Sequence, residues 1–92
     1  MERYHLEIYH PRDIRTALVA FSSDTPFLSF ARGDFLNPRG WEGMMPPYTY
    51  FRIIAIRHFI FTDHQGCIQH KLCLHVTEAS PAEEATLATG SE

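Results

Sequence analysis

The chain has 92 residues, of which 45% are hydrophobic, and a formal net charge of −3. This length suits one domain, and the apolar fraction argues against wholesale disorder. Residues 79–92 hold three of the eleven acidic side chains and no lysine or arginine, so residues 1–78 are balanced at eight acidic and eight basic residues. A near-neutral domain lacks the field that would attract nucleic acid, which we therefore do not expect as a partner.

The sequence shows no targeting signal, and its two cysteines suit a reducing compartment. No apolar run approaches the roughly 20 residues of a membrane span, and residues 1–6 lack the basic and apolar regions of a secretory signal. Cys67 and Cys73 fall on one predicted strand, where about 20 Å would separate them, too far for a disulfide. We expect a soluble cytoplasmic protein with no membrane contact.

The first half of the chain predicts short strands. Residues 3–9 alternate as a half-buried strand does. Residues 14–21 fit a strand, but a proline at position 11 and two alanines also permit a short helix at about 12–21. Residues 27–31 and 35–36 read as further strands. Residues 37–47 form a long loop, which contains Trp41, Met44 and Met45.

The second half predicts one long hairpin, residues 48–61 and 67–76, with turn chemistry between them. A three-residue loop before Cys67 pairs Asp63 with that cysteine and aligns the aliphatic faces of the two strands, because a slip of one residue would exchange the faces. The resulting pairs are Ile60 with His70, His58 with Leu72, Ile56 with Leu74, and Ile54 with Val76. A bulge near Arg57 and His58 would change the pairing farther from the turn.

These elements predict an all-β fold, a small barrel or sandwich of five to six mostly antiparallel strands around the C-terminal hairpin. The alternative is an α+β fold with the short helix at about 12–21. We expect residues 1–78 to form the single domain and residues 79–92 to be a disordered acidic tail.

His58 and His70 are the candidate metal ligands. The predicted register makes them diagonal neighbours on the buried face, where neutral imidazoles could share zinc or copper. Without a recognisable third ligand, the simpler interpretation is two histidines hydrogen-bonded in the core or at its edge. We predict no metal or other cofactor. If both are buried and neutral, acid should destabilise the fold.

The opposite face of the hairpin is the candidate interaction surface. It interleaves aromatic and cationic side chains, namely Phe51, Arg57, Phe59, Phe61 and Lys71. Such a face can bind a protein or a second copy of the chain, stack nucleic-acid bases, or pack internally. Trp41, Met44 and Met45 could extend the surface if their loop is exposed, or close one end of a barrel.

No catalytic constellation is evident, since phosphate loops, dinucleotide fingerprints, paired carboxylates and nucleophile elbows are all missing from the sequence. Enzymatic activity is therefore unsupported. The predicted function is a non-catalytic protein-interaction module that binds a partner protein or itself. The alternatives are a small-ligand or metal-binding barrel and a single-stranded nucleic-acid-binding module.

Overall fold

The computed structural model describes residues 2–47 and 49–90, which form one five-stranded sheet and a C-terminal helix. The elements are β1 (Glu2–Tyr9), β2 (Val19–Ser23), β3 (Phe35–Leu36), β4 (Phe51–Thr62), β5 (Ile68–Glu78) and α1 (Pro81–Gly90). The sheet curls into a half-barrel with strand order β2-β1-β5-β4-β3. The predicted β-rich class is confirmed, but the sheet is mixed because β1 and β5 are parallel. Tyr48, the expected first residue of the hairpin, lies outside the described residues.

The stretch before β2 is neither a long strand nor a helix. The carboxylate of Asp13 accepts hydrogen bonds from the backbone amides of Arg15 and Thr16, at 3.0 and 3.1 Å. Such local bonds compete with helix formation, so the chain turns here and β2 begins only at Val19. The alternative with a helix at about 12–21 is wrong. The strand expected at 27–31 is also not formed, and this segment packs irregularly over the sheet.

One face of the sheet, which we call the core face, carries most of the buried residues. They are Leu6 and Ile8 of β1, Phe51 and Ile53 of β4, and Leu74 and Val76 of β5. The segments between strands cover this face with the side chains of Phe27, Phe30, Trp41 and Met44. The opposite face, which we call the outer face, has no covering layer among the described residues.

The β4–β5 hairpin confirms most of the predicted register. Ile60, His58 and Ile56 pair with their predicted partners on β5, and the Asp63 amide donates to the Cys67 carbonyl at 2.9 Å. The fourth pair is wrong, because Ile54 bulges out of the ladder and Ile53 takes its place opposite Val76. A bulge adds one residue to one strand and so reverses which face the preceding side chains occupy.

The C-terminal segment differs from the expected disordered tail, because Pro81–Gly90 is α1. Ser80 and Glu83 form a reciprocal capping box, in which the Glu83 amide donates to Ser80 Oγ at 3.1 Å and the Ser80 amide to Glu83 Oε1 at 2.8 Å. The Tyr50 amide donates to Glu84 Oε2 at 3.1 Å and ties α1 to the start of β4. No helix in the described part of the chain is long and apolar enough to span a membrane.

Candidate functional site

The hairpin divides into two parts with different surroundings. We call residues 51–56 and 73–78 the hairpin base, and residues 57–62 and 68–72 the hairpin tip. In the base, Ile53 and Leu74 are completely buried. In the tip, Phe59 is 45% exposed, Phe61 49% and Ile60 69%. Large apolar side chains on both faces of one strand are therefore open to solvent.

The outer edge of β4 is also unpaired along the tip. β3 pairs only with Phe51 and Arg52, and two further backbone bonds join Ile53 to residues 33–34. Beyond Ile53, β5 is the one strand that pairs with β4 in the described part of the chain. The backbone N–H and C=O groups of successive residues in a strand point alternately to its two sides. The Asp63 amide points toward β5, so the other odd residues of the tip do the same. The backbone groups of the even residues 56–62 therefore point toward the free edge.

Two cations of the outer face, Arg57 and Lys71, are already engaged. Arg57 donates from Nε to Nε2 of His75 at 2.9 Å, and its guanidinium lies 5.3 Å from the ring centroid of Phe59. Lys71 Nζ lies 3.4 Å from a carboxylate oxygen of Glu7. This arrangement leaves little free positive charge for phosphates and does not favour the nucleic-acid alternative.

Three titratable groups surround this network. The Tyr9 hydroxyl donates to Glu7, and this bond is the main reason that the pKa of Tyr9 is raised to about 12. Burial raises the pKa of the Cys73 thiol, which makes it a poorer nucleophile. Burial first, and then the charge of Arg57, lower the pKa of His75. His75 also stacks on Tyr9, with ring centroids 5.5 Å apart.

His58 and His70 meet on the core face as the register predicts. Nδ1 of His58 lies 3.0 Å from Nε2 of His70, within hydrogen-bond distance. Neither ring is buried, because the segment that contains Phe27 and Phe30 leaves an open pocket beside them: His58 is exposed and His70 is half-buried. The sequence left open whether the pair lies inside the core or at its edge, and the structure places it at the edge. Residues 2–47 and 49–90 contain no group of three or more histidine, cysteine or carboxylate side chains placed to hold a metal.

Three members of the predicted interaction surface lie elsewhere. Phe51 is 7% exposed and belongs to the core face, because the bulge at Ile54 reverses the alternation. Trp41 stacks on it at 5.8 Å between centroids, and Met44 packs against the same core. Met45, in contrast, is 77% exposed. The surface that a partner can reach therefore centres on Arg57, Phe59, Phe61 and Lys71 in the tip.

Sequence reasoning missed the exposure of Ile60 and the free edge of β4. The apolar character of residues 59–61 on both faces was a usable signal, because a strand with one solvated face alternates. Comparison of the chain with protein-family models, with curated proteins and with solved structures finds no match.

Proposed function

We propose that this domain is a non-catalytic protein-interaction module that self-associates through the free edge of β4. The observation that carries the proposal is the hairpin tip, where an unpaired strand edge coincides with exposed apolar side chains on both faces. Such an edge is a template for pairing with another strand. Proteins that stay monomeric protect long edges with prolines, lysines or inward charges, and between Ile54 and Thr62 the only permanent charge is Arg57.

The occupant we propose is the same edge of a second copy, because the sequence of the tip complements itself. An antiparallel pair with its two-fold axis at Phe59 sets Phe59 opposite its counterpart, His58 opposite Ile60 of the partner, and Arg57 opposite Phe61 of the partner. Directly opposite residues keep to the same face, so the core and outer faces each continue across the axis. The pair joins the two Phe59 rings and sets the Arg57 guanidinium of each copy against Phe61 of the other, and both kinds of contact stabilise sheets.

Two neighbouring registers fit less well. An axis at His58 would bring Asp63 of the partner's turn opposite Ile53, whose backbone groups already bond to Gly33 and Asp34. An axis at Ile60 would shorten the paired segment. An axis at Phe59 pairs residues 56–62 of the two copies. Each even residue then lies opposite an even residue of the partner, so the backbone groups that point toward the free edges can hydrogen-bond to each other.

Sedimentation of the full chain tests the proposal. We expect a particle of twice the 10.6 kDa chain mass. Phe59→Asp should weaken the dimer by about 100-fold or more, because it removes the aromatic pair and places two carboxylates opposite each other.

The matched control is Ile14→Asp, which makes the same kind of change at a residue that is 66% exposed and lies outside the hairpin. It should leave the dimer intact, and circular dichroism should show native folding for both variants. A wild-type chain that stays monomeric at about 100 µM, or a Phe59→Asp variant that dimerises as well as wild type, would contradict the proposal.

A further inference from the structure

A second candidate site lies on the core face, beyond the covered core. A pocket of about 450 Å³ opens between the hairpin tip and the irregular segment that contains Phe27 and Phe30. Ile56 and Leu72 form its sheet-side wall, and all four side chains pack against the core. This volume falls within the range of roughly 300–1,000 Å³ that is usual for small-molecule sites.

The polar groups of the pocket converge at the histidine pair. In the 3.0 Å contact of His58 Nδ1 with His70 Nε2, one ring donates and the other accepts. Nε2 of His58 and Nδ1 of His70 have no hydrogen-bond partner among the described residues. Two ring nitrogens are therefore open to a ligand at the polar end of an apolar pocket.

The other titratable groups at the pocket are already occupied. His5 contacts Ser22 Oγ at 3.0 Å through Nδ1 and Gln69 Oε1 at 2.7 Å through Nε2. The Tyr4 hydroxyl donates to Glu2 at 2.7 Å. No lysine or arginine lines the pocket, so a phosphate would lack the cationic partners that it needs. A single carboxylate needs only one or two N–H donors, which the histidine pair can supply.

We infer that this pocket binds a small amphiphilic monocarboxylate, with its apolar body against Phe27, Phe30, Ile56 and Leu72 and its carboxylate on His58 and His70. The carboxylate of Glu2, held by Tyr4 near the same mouth, opposes the anion and limits its affinity. This inference does not depend on the dimer.

Titration of the full chain with octanoate and with 1-octanol tests the inference, because the two probes share a chain and differ in charge. We expect octanoate to bind saturably and at least about tenfold more tightly than 1-octanol, since charge-assisted hydrogen bonds distinguish them. Imidazole NMR signals of His58 and His70 should shift on binding.

The variants His58→Asn and His70→Gln should each reduce the preference for octanoate several-fold, and their combination should abolish it while 1-octanol still binds. His64→Asn, in the exposed turn outside the pocket, is the matched control and should bind like wild type. Phe59→Asp should retain octanoate binding even as a monomer. Non-saturable binding, equal affinity for the two probes, or a preference that survives in the double variant would overturn the inference.

Discussion

The base and the tip of the hairpin share the same two strands and similar residue types, yet only the base contains buried side chains. Ile53 and Leu74 in the base are fully enclosed, whereas Ile60 in the tip is 69% exposed. The difference comes from the covering segments, since Trp41 and Met44 pack over the base and no side chain in the described residues packs comparably over the end of the tip. Burial along this hairpin therefore depends on which parts of the chain lie above it, not on strand composition alone.

The outer faces of the two parts differ as well. In the base, this face carries Arg52, Ala55 and His75, as expected of a strand with one solvated side. In the tip it carries Phe59 and Phe61. Apolar residues on both faces suit a strand that is covered on both sides, and the described chain supplies no such cover for the tip. A second copy paired at the β4 edge would place its strand and aromatic rings beside these side chains, in the plane of the sheet.

The largest effect expected from this comparison is on stability. Leu74→Ala in the base should lower the free energy of unfolding by about 2–5 kcal/mol, because it leaves a cavity in a fully buried site. Ile60→Ala, measured in the monomeric Phe59→Asp background, should change it by less than about 1 kcal/mol, because the side chain is already in water. Urea denaturation of both variants in that background measures the contrast. Equal losses at the two positions would mean that the tip is buried in the monomer.

A smaller effect is expected on the pH dependence of stability, through His75 in the hairpin base. Burial and the charge of Arg57 lower the pKa of His75 below 6.5 in the folded chain, so the unfolded chain binds the proton more strongly. Its contribution to stability is then complete above about pH 6.5 and is lost as the pH falls through the folded value. The free energy of unfolding should decrease from pH 7 to pH 5, and this decrease should be smaller in His75→Gln.

Urea denaturation of wild type and His75→Gln at the two pH values measures this effect. Three carboxyl groups, those of Asp63, Glu78 and Glu83, also have a lowered pKa in the folded chain. They lose their contributions to stability mainly below pH 5, so they do not obscure the effect of His75 between pH 7 and pH 5. An identical decrease in both proteins would assign the acid sensitivity to other groups. The acid sensitivity that the sequence predicts for His58 and His70 rested on their burial, which the structure does not support.

The sequence predicts the part of the hairpin next to the turn because local chemistry determines it. Asp63 Oδ1 accepts the amides of Gln65 and Cys67, both at 2.9 Å, and Gly66 adopts a φ of 81° that favours glycine. These contacts determine loop length, and loop length determines register. The bulge at Ile54 lies far from the turn, where docking of residues 33–34 on Ile53 decides the geometry, and no local motif reports it.

Other elements depended on contacts distant in sequence or on a signal that was overlooked. The segment 27–31 has strand-like residues but acts as a cover for the core face, which only the tertiary structure reveals. The start of α1 was readable, because Ser80 and Glu83 have capping-box spacing with a proline at the first helical position. The histidine contact followed from parity alone, whereas the pocket beside it required the position of Phe27 and Phe30.

Disulfide trapping at the proposed two-fold axis tests the self-association most directly. With the axis at Phe59, the two copies of this residue form a non-hydrogen-bonded pair with Cα atoms about 4.5 Å apart, within disulfide range. Two copies of Arg57 would lie about 13 Å apart along the strands. In a Cys67→Ser background, with Cys73 buried, Phe59→Cys should form a disulfide-linked dimer on mild oxidation and Arg57→Cys should not. Equal trapping at both positions, or none at position 59, would contradict the proposed pairing of β4 with its counterpart.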